Sequence, residues 1–302
     1  MKTTIMAHDA LRAETNEIMV AGGMESMTNV PYILQKARSG HRLGHGEMSD
    51  HMFLDGLEDV YEKGTLMGVF AERTAKFYGF TREDQDEFAI RSLTRAKTAI
   101  EDGSFKEEIT PVSFQDRKGE TVVEKDEQPL SANIEKIPRL RPAFEKEGTV
   151  TAANSSSISD GAAALVMMSE STAKKRGLNP LARILGHSSF AQSPEWFTTA
   201  PIGAIKQLLE KVGWAPHDVE LFEINEAFAT VTMAAMKDLD LPTEKVNIHG
   251  GACALGHPGG ASGTRILVTL ISALRKYNKT SGVASLCLGG GEATAMAVEV
   301  LS

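Results

Sequence analysis

Apolar positions follow different patterns in successive stretches of the chain. Residues 2–14 carry them at roughly helical spacing, and residues 17–23 (EIMVAGG) have the pattern of a short buried strand that ends in two glycines. Residues 28–148 are polar and irregular, whereas the chain after that stretch is apolar again. The pattern predicts a packed core that is interrupted by one long polar insertion.

The insertion contains its own structural signals. Thr81 and Asp84 have the spacing of a helix capping box, and the apolar positions that follow predict a helix that ends near Gly103. Residues 107–114 and 119–127 have the pattern of exposed strands. The stretch is too long to be a loop inside a compact domain, so we expect an inserted subdomain.

Strand and helix patterns alternate in the second half of the chain. This alternation from residue 181 onward is typical of a layered α/β architecture. The predicted strands are 162–170, which we expect to be buried, 181–190, 219–225, 246–248, 282–291 and 292–301, and the predicted helices are 202–214, 226–239 and a long helix that Ser262 opens and that runs to Tyr277.

A weak internal repeat relates the two ends of the chain. Residues 2–23 and 263–291 each predict a helix, then a strand, then consecutive glycines. The second copy is preceded by residues 181–261, for which the first copy has no counterpart. If the two halves are equivalent, roughly 80 residues would precede Met1.

Composition narrows the class of protein. The formal net charge is −8, which gives no basic face for a nucleic-acid partner. Neither a membrane-spanning apolar run nor a secretory leader is expected from the pattern. With two cysteines in the sequence, a disulfide framework is not implied, and we expect a reducing, cytoplasmic location.

Three polar side chains follow predicted strands and are candidates for chemistry: Asn225, His257 and Cys287. Ligands in open α/β sheets bind beyond the carboxyl ends of strands, so these groups are expected to share one pocket. Each has a simpler structural interpretation: a helix N-cap for Asn225, a hydrogen-bond donor within a turn for His257, and a small buried side chain for Cys287. Without Cys-x-x-Cys or His-x-x-x-His spacing nearby, no metal site is expected.

Several motifs together resemble the thiolases, the acetyl-CoA acetyltransferase family. They are AGGMESMTNVPY (21–32), REDQDEFAIRS (82–92), GTVTAANSSSISDGAAAL (148–165), NEAFA (225–229), GGACALGHPGGASG (250–263) and LCLGGG (286–291). The resemblance extends over essentially the whole chain. It implies a layered αβαβα sandwich of two similar halves, with a loop domain inserted in the first half and the first half incomplete at its start.

The resemblance also implies roles for the candidate residues. Thiolases place an acyl group on a cysteine and attack it with the carbanion of a second acyl-CoA. Cys287 matches the acid/base cysteine, and His257 the histidine that activates the acyl-carrying cysteine and donates to the thioester oxygen. Asn225 matches the residue that holds a water beside that oxygen, and Gly289 would offer a backbone N–H to the oxyanion. The acyl-carrying cysteine itself would lie just before Met1.

Binding residues are implied in the same way. Coenzyme A thioesters are the expected substrates, without a separate cofactor, and a homodimer or homotetramer is the expected assembly. The residues that match the lining of the pantetheine tunnel or the contacts of the loop domain are Ser156, Ala152, Ala227, Phe228, Leu57, Met67 and Phe144. The implied segments are 1–27 and 159–179 for the first half, 28–158 for the loop domain and 180–302 for the second half.

Two other interpretations remain open on the sequence. In the first, the chain is a catalytically defective remnant that binds coenzyme A. In the second, it is a hydrolase that uses Cys287 and His257 as a nucleophilic dyad. Cys253 lies near His257 in sequence, and we interpret it as a packing residue.

Overall fold

The computed structural model describes residues 1–117 and 119–301, without the side chain of Asp116. The helices in these residues are α1 (Lys2–Arg12), α2 (Met67–Tyr78), α3 (Arg82–Glu101), α4 (Glu127–Ser131), α5 (Glu170–Lys175), α6 (Ala200–Val212), α7 (Ala229–Leu239), α8 (Ala252–Leu255) and α9 (Gly259–Lys276). The strands are β1 (Ile18–Ser26), β2 (Tyr32–Leu34), β3 (Met48–Asp50), β4 (Val112–Asp116), β5 (Gly119–Val123), β6 (Asp160–Met168), β7 (Ala182–Ala191), β8 (Leu221–Ile224), β9 (Ser281–Leu288) and β10 (Glu292–Val300).

A four-stranded sheet in the order β7-β10-β9-β8 forms the centre of the second half. The β7–β10 and β10–β9 pairs are antiparallel, and β9–β8 is parallel. Successive side chains of a strand point to opposite faces, so the sheet has two apolar faces. Helices α6 and α7 pack on the face that includes Phe222 and Val283, and α1 and α9 pack on the face that includes Leu221 and Ala284.

Helix α9 lies between this sheet and a second one, the antiparallel pair β1–β6. The layers are therefore α6/α7, the four-stranded sheet, α1/α9 and the β1–β6 pair, which confirms the layered α/β class expected from the sequence. The close approach needs glycine: a Cβ atom added to Gly23 of β1 would lie 1.9 Å from the carbonyl oxygen of Gly260 in α9.

The prediction that residues 17–23 and 162–170 form buried strands was wrong for one face of each strand. Odd-numbered positions of β1 and β6, such as Ala21 and Met167, pack on α1. The opposite side chains of Val20, Met24 and Val166 are 71, 75 and 67% exposed. Side chains of these strands alternate between buried and exposed because only one face of the pair packs on helices. The sequence does not show this alternation, because both faces carry apolar residues.

The insertion contains more helix than its sequence pattern indicated. The expected helix is present as α3, and its Thr81/Asp84 capping box is formed. The predicted strands of 107–114 and 119–127 are present as the shorter hairpin β4–β5. Helix α2 was missed, although Phe70, Ala71 and Ala75 are buried at helical spacing and Gly79 ends the helix in the left-handed conformation.

Two predicted boundaries and one predicted strand in the second half were wrong. Residues 226–228 are not helical, because the chain there is extended and bonded to residues 154–156, and α7 begins at Ala229. Helix α9 begins at Gly259, three residues before Ser262. Residues 246–248 form no strand: Val246 makes one bridge to Phe222, after which Asn247 turns the chain with φ 47°.

The four-segment division of the chain stays a prediction, and Ser302, within its last segment, lies outside the described residues. None of the helices in the described residues has the length and apolar character needed to cross a membrane.

The close approach of β1 and α9 gives a stability test. We expect Gly23→Ala to destabilise the protein by about 1–3 kcal/mol, because the new methyl group collides with backbone that cannot move alone. Gly56→Ala is the matched control, since a Cβ atom there meets nothing within 4 Å. Thermal and urea midpoints of both variants measure the difference, and equal midpoints would contradict the description of this contact.

Candidate active site

Asn225 and His257 meet at the carboxyl end of β8. The Asn225 N–H donates to the carbonyl of Ser285 on the neighbouring parallel strand (3.0 Å), which fixes the backbone as β8 ends. The side-chain Nδ2 of Asn225 lies 3.3 Å from Nε2 of His257. The structure thus brings together two of the three side chains that the sequence placed beyond strand ends.

Asn225 is not a helix N-cap. The residue at that position of α7 is Phe228, and no side chain caps the helix there. Asn225 is 1% exposed, and its Oδ1 atom has no hydrogen-bond partner among the described residues. A buried amide oxygen without a donor is costly, so this atom is suited to accept a hydrogen bond from a bound water or substrate group.

The protonation state of His257 follows from Ser262. The Ser262 hydroxyl donates to the Pro258 carbonyl (3.0 Å), so it accepts from Nδ1 of His257 at 2.6 Å. The proton of the neutral ring then resides on Nδ1, and Nε2 presents its lone pair toward Asn225. Burial, with a smaller contribution from Arg265, lowers the pKa of His257 to about 4. The ring is therefore neutral at pH 7 and able to accept a proton at Nε2.

Cys287 lies on the same edge of the sheet. It is on β9, two residues beyond Ser285, to which Asn225 bonds. Its side chain is 7% exposed and packs in an apolar cluster with Ala227 and Phe70. Burial raises the pKa of the Cys287 thiol to about 12. The resting side chain is a protonated thiol, and its thiolate, once formed, is a strong base.

Gly289 lies in the turn between β9 and β10, outside both strands. A Cβ atom there would lie 3.0 Å from the sulfur of Met67, so the start of α2 covers this turn. Phe144 lies against Gly68 and makes an edge-to-face contact with Phe228, with 6.0 Å between ring centroids. Three of the expected tunnel and loop contacts, Met67, Phe144 and Phe228, thus form one apolar wall beside Cys287.

The remaining expected binding residues occupy different positions. The Ser156 hydroxyl and N–H both donate to the carbonyl of Ala227, each at 3.0 Å, which fixes the loop beside the wall. Leu57 is half-buried at the end of a π-helical turn, and Ala152 is exposed in the loop before β6. Neither Leu57 nor Ala152 belongs to the apolar cluster around Cys287.

Residues that the sequence analysis did not select hold the site in place. The buried carboxylate of Glu226 accepts from Ser92 (2.7 Å), Asn247 (2.9 Å) and the N–H of Cys253 (3.1 Å). The Asn247 amide also bonds to both backbone groups of Ile224 at 2.8 Å. A signal was present for Glu226, since an acidic residue next to Asn225 in an apolar stretch needs buried partners.

Metal-ligand spacing is not found around these residues. In the part of the chain that the structure describes, no group of three His, Cys, Asp or Glu side chains that includes His257 or Cys287 has the spacing to hold an ion. Cys253 is buried against Phe88 and Ala229.

Comparisons with known proteins identify the family. The model of the thiolase N-terminal domain matches residues 1–171, and that of the thiolase C-terminal domain matches residues 178–300. The chain belongs to the thiolase family.

Known acetyl-CoA acetyltransferases are similar in sequence to this chain over its whole length. It is 48% identical over 304 residues to an acetyl-CoA acetyltransferase of Escherichia coli K12, and 47% identical over 303 residues to one of Thiocystis violacea. Each alignment covers 100% of this chain and 77% of the relative.

Solved structures agree with the fold. A crystal structure of the Bacillus anthracis acetyl-CoA acetyltransferase superposes with a TM-score of 0.96 at 44% identity, covering 100% of this chain and 76% of that one. The Acat5 thiolase of Ascaris suum, in complex with coenzyme A, superposes at 0.92 with 42% identity, covering 99% and 76%. The thiolase-like sandwich expected from the sequence is confirmed.

Because both thiols are buried, we expect them to react slowly with alkylating reagents. At pH 7.5 we expect iodoacetamide to label Cys287 in the folded protein at least about 100-fold more slowly than a model thiol, because its pKa of about 12 leaves little thiolate. Cys253 is also buried, and burial raises the pKa of its thiol. Peptide mapping locates the label, and labelling in urea is the positive control. Rapid labelling of folded Cys287 at neutral pH would contradict this electrostatic description.

Proposed function

We propose that this chain acts in the reversible Claisen condensation of acyl-CoA thioesters, with acetyl-CoA and acetoacetyl-CoA or another 3-ketoacyl-CoA as substrates. The observation that carries the proposal is the contact between Asn225 and His257 at the sheet edge that also bears Cys287. Membership of the thiolase family and the names of the relatives support the same reaction.

Cys287 is the proposed acid and base. Cys287 first loses its thiol proton to solvent water. The thiolate then removes a proton from the methyl carbon of bound acetyl-CoA, and the resulting enolate attacks the carbonyl carbon of an acyl thioester. The new carbon–carbon bond displaces the sulfur that carried the acyl group. A buried thiolate is a strong base, since the surroundings that raise the pKa to about 12 favour its protonated form.

His257 and Asn225 are proposed to stabilise the thioester oxygen as it gains negative charge. When His257 takes the proton of the acyl-carrying thiol at Nε2, it becomes a donor toward that oxygen, while Ser262 accepts from Nδ1 and fixes the ring. The free Oδ1 atom of Asn225 accepts from a water, whose second proton points at the oxygen. The Gly289 N–H is the proposed donor to the oxyanion of the acyl-enzyme.

Neither of the two cysteines in this sequence is proposed to carry the acyl group. Cys253 and Cys287 are its two cysteines. Cys253 is enclosed by packing, and Cys287 has the acid/base role. The proton-transfer half of the reaction needs Cys287 alone of these two thiols.

The wall of Met67, Phe144 and Phe228 is proposed to contact the pantetheine arm, with Ser156, Ala152, Ala227 and Leu57 as further contacts. Coenzyme A thioesters enter as substrates, and we propose that no resident cofactor or metal is required. We also propose a cytoplasmic homodimer or homotetramer with a role in fatty acid metabolism.

Exchange of the methyl protons of acetyl-CoA with D2O tests the proposal, with NMR or mass spectrometry as the readout. We expect catalysed exchange by the 302-residue protein, lowered about 100-fold or more in Cys287→Ser and about 10- to 100-fold in Asn225→Ala. Cys253→Ser is the matched control and should retain exchange, since that thiol lies outside the proposed chemistry.

Parallel assays of acetoacetyl-CoA thiolysis and of acetyl-CoA hydrolysis separate the alternatives. Coenzyme A binding without exchange would identify a catalytically defective remnant. Hydrolysis that is lost in both Cys287→Ser and His257→Asn would identify the nucleophilic dyad. Either result would overturn the proposed acid/base role of Cys287.

A further inference from the structure

A second group of histidine and carboxylate side chains joins α1 to β7. Nδ1 of His8 and Nε2 of His187 lie 3.0 and 2.8 Å from the same oxygen, Oδ1 of Asp9. The two imidazole rings meet edge-on, with centroids 5.0 Å apart and an interplanar angle of 85°. The histidine side chains are 18 and 14% exposed, whereas the Asp9 side chain is 59% exposed.

The three groups have the chemistry of a divalent transition-metal site. One atom from each of them lies within 4.8 Å of the others, and no other such group occurs in the described residues. Two imidazole nitrogens and one carboxylate oxygen are ligands that Zn²⁺ prefers, at bond lengths of about 2.0–2.2 Å. Tetrahedral bonds of that length separate ligand atoms by about 3.3 Å. The two hydrogen-bond distances to Asp9 would therefore open by less than about 1 Å when a metal replaces the shared protons.

We propose that His8, Asp9 and His187 form a binding site for Zn²⁺ or a similar divalent transition metal. The ion replaces the hydrogen bonds that converge on Asp9 by three coordinate bonds. Ser262, Asn225 and the other residues of the candidate active site take no part, so the proposal does not depend on the proposed function.

The fourth coordination position would face a surface depression of about 350 Å³ beside Asp9 and His187. Two cationic side chains also line it: Lys2, whose Nζ donates to Ser189 (3.3 Å), and Lys211, whose Nζ donates to the carbonyl of His187 (3.0 Å). Their charge opposes the metal ion and favours an anion or hydroxide as its fourth ligand. We therefore expect a site of moderate affinity that keeps one position open to solvent.

Metal binding here would link the regions matched by the two thiolase domain models. His8 and Asp9 lie on α1, within residues 1–171, and His187 lies on β7, within residues 178–300. An ion held by both regions binds only the folded arrangement, so it stabilises that arrangement in proportion to its concentration.

Titration of the tag-free, chelator-treated protein with Co²⁺, followed by visible absorption, tests the proposal, because tetrahedral Co²⁺ has a distinctive spectrum. We expect one Co²⁺ per chain, displaced by Zn²⁺, with a dissociation constant of about 10 μM or tighter. His187→Gln and Asp9→Asn should each weaken binding by about 100-fold or more. Zn²⁺ should raise the melting temperature of the unmodified protein and not that of these variants.

His217→Gln is the matched control. His217 is 85% exposed beside Asp218, with 3.5 Å between Nε2 and Oδ1, so it repeats the His-Asp pair without a second histidine. His8→Gln is a second test if His187→Gln does not fold. Unchanged Co²⁺ affinity in a folded His187→Gln or His8→Gln variant would overturn the proposal, as would a dissociation constant above about 1 mM for the unmodified protein.

Discussion

The candidate active site depends on the hydrogen bonds of one buried carboxylate, that of Glu226. Burial raises its pKa, and the cost of enclosing it is offset by donors from three separate segments: Ser92 on α3, Asn247 in the loop after α7, and the N–H of Cys253. These bonds fix the turn that follows β8. The preceding residue, Asn225, is thereby held with its amide against His257, and the inserted helix is attached to the glycine-rich loop.

Much of the second half could be predicted from local pattern. Helices α6 and α9 and strands β7, β9 and β10 lie where their apolar patterns predicted them, within three residues at each end. The errors arise where distant segments decide the outcome. Residues 226–228 have a helical pattern, yet they are extended because Ala229 and Ser156 bond across to the opposite segment. Helix α2 was predictable from its apolar spacing and its terminal glycine, and the polar character of the surrounding insertion concealed it.

The candidate site was predictable in outline. Asn225, His257 and Cys287 were candidates because they follow predicted strands or lie in glycine-rich turns. The structure places Asn225 and His257 in contact. The proton position on the imidazole depends on Ser262, five residues further along. The high pKa of the Cys287 thiol depends on its enclosure. Neither the proton position nor the thiol pKa can be predicted from the neighbouring sequence, because each depends on groups that folding brings together.

Helix α9 has a consequence beyond the site. Both sheets close on it, and one apolar cluster combines Ile5 of α1 with Ile266 and Leu270 of α9 and Met296 of β10. The two domain models divide the sequence between residues 171 and 178, yet this cluster joins Ile5 of the first region to residues of the second. Loss of the β1–β6 pair would expose one side of α9 to water, so the stability of the second region depends in part on the first. A destabilising substitution in the β1–β6 pair would then disturb His257, which lies two residues before α9 begins.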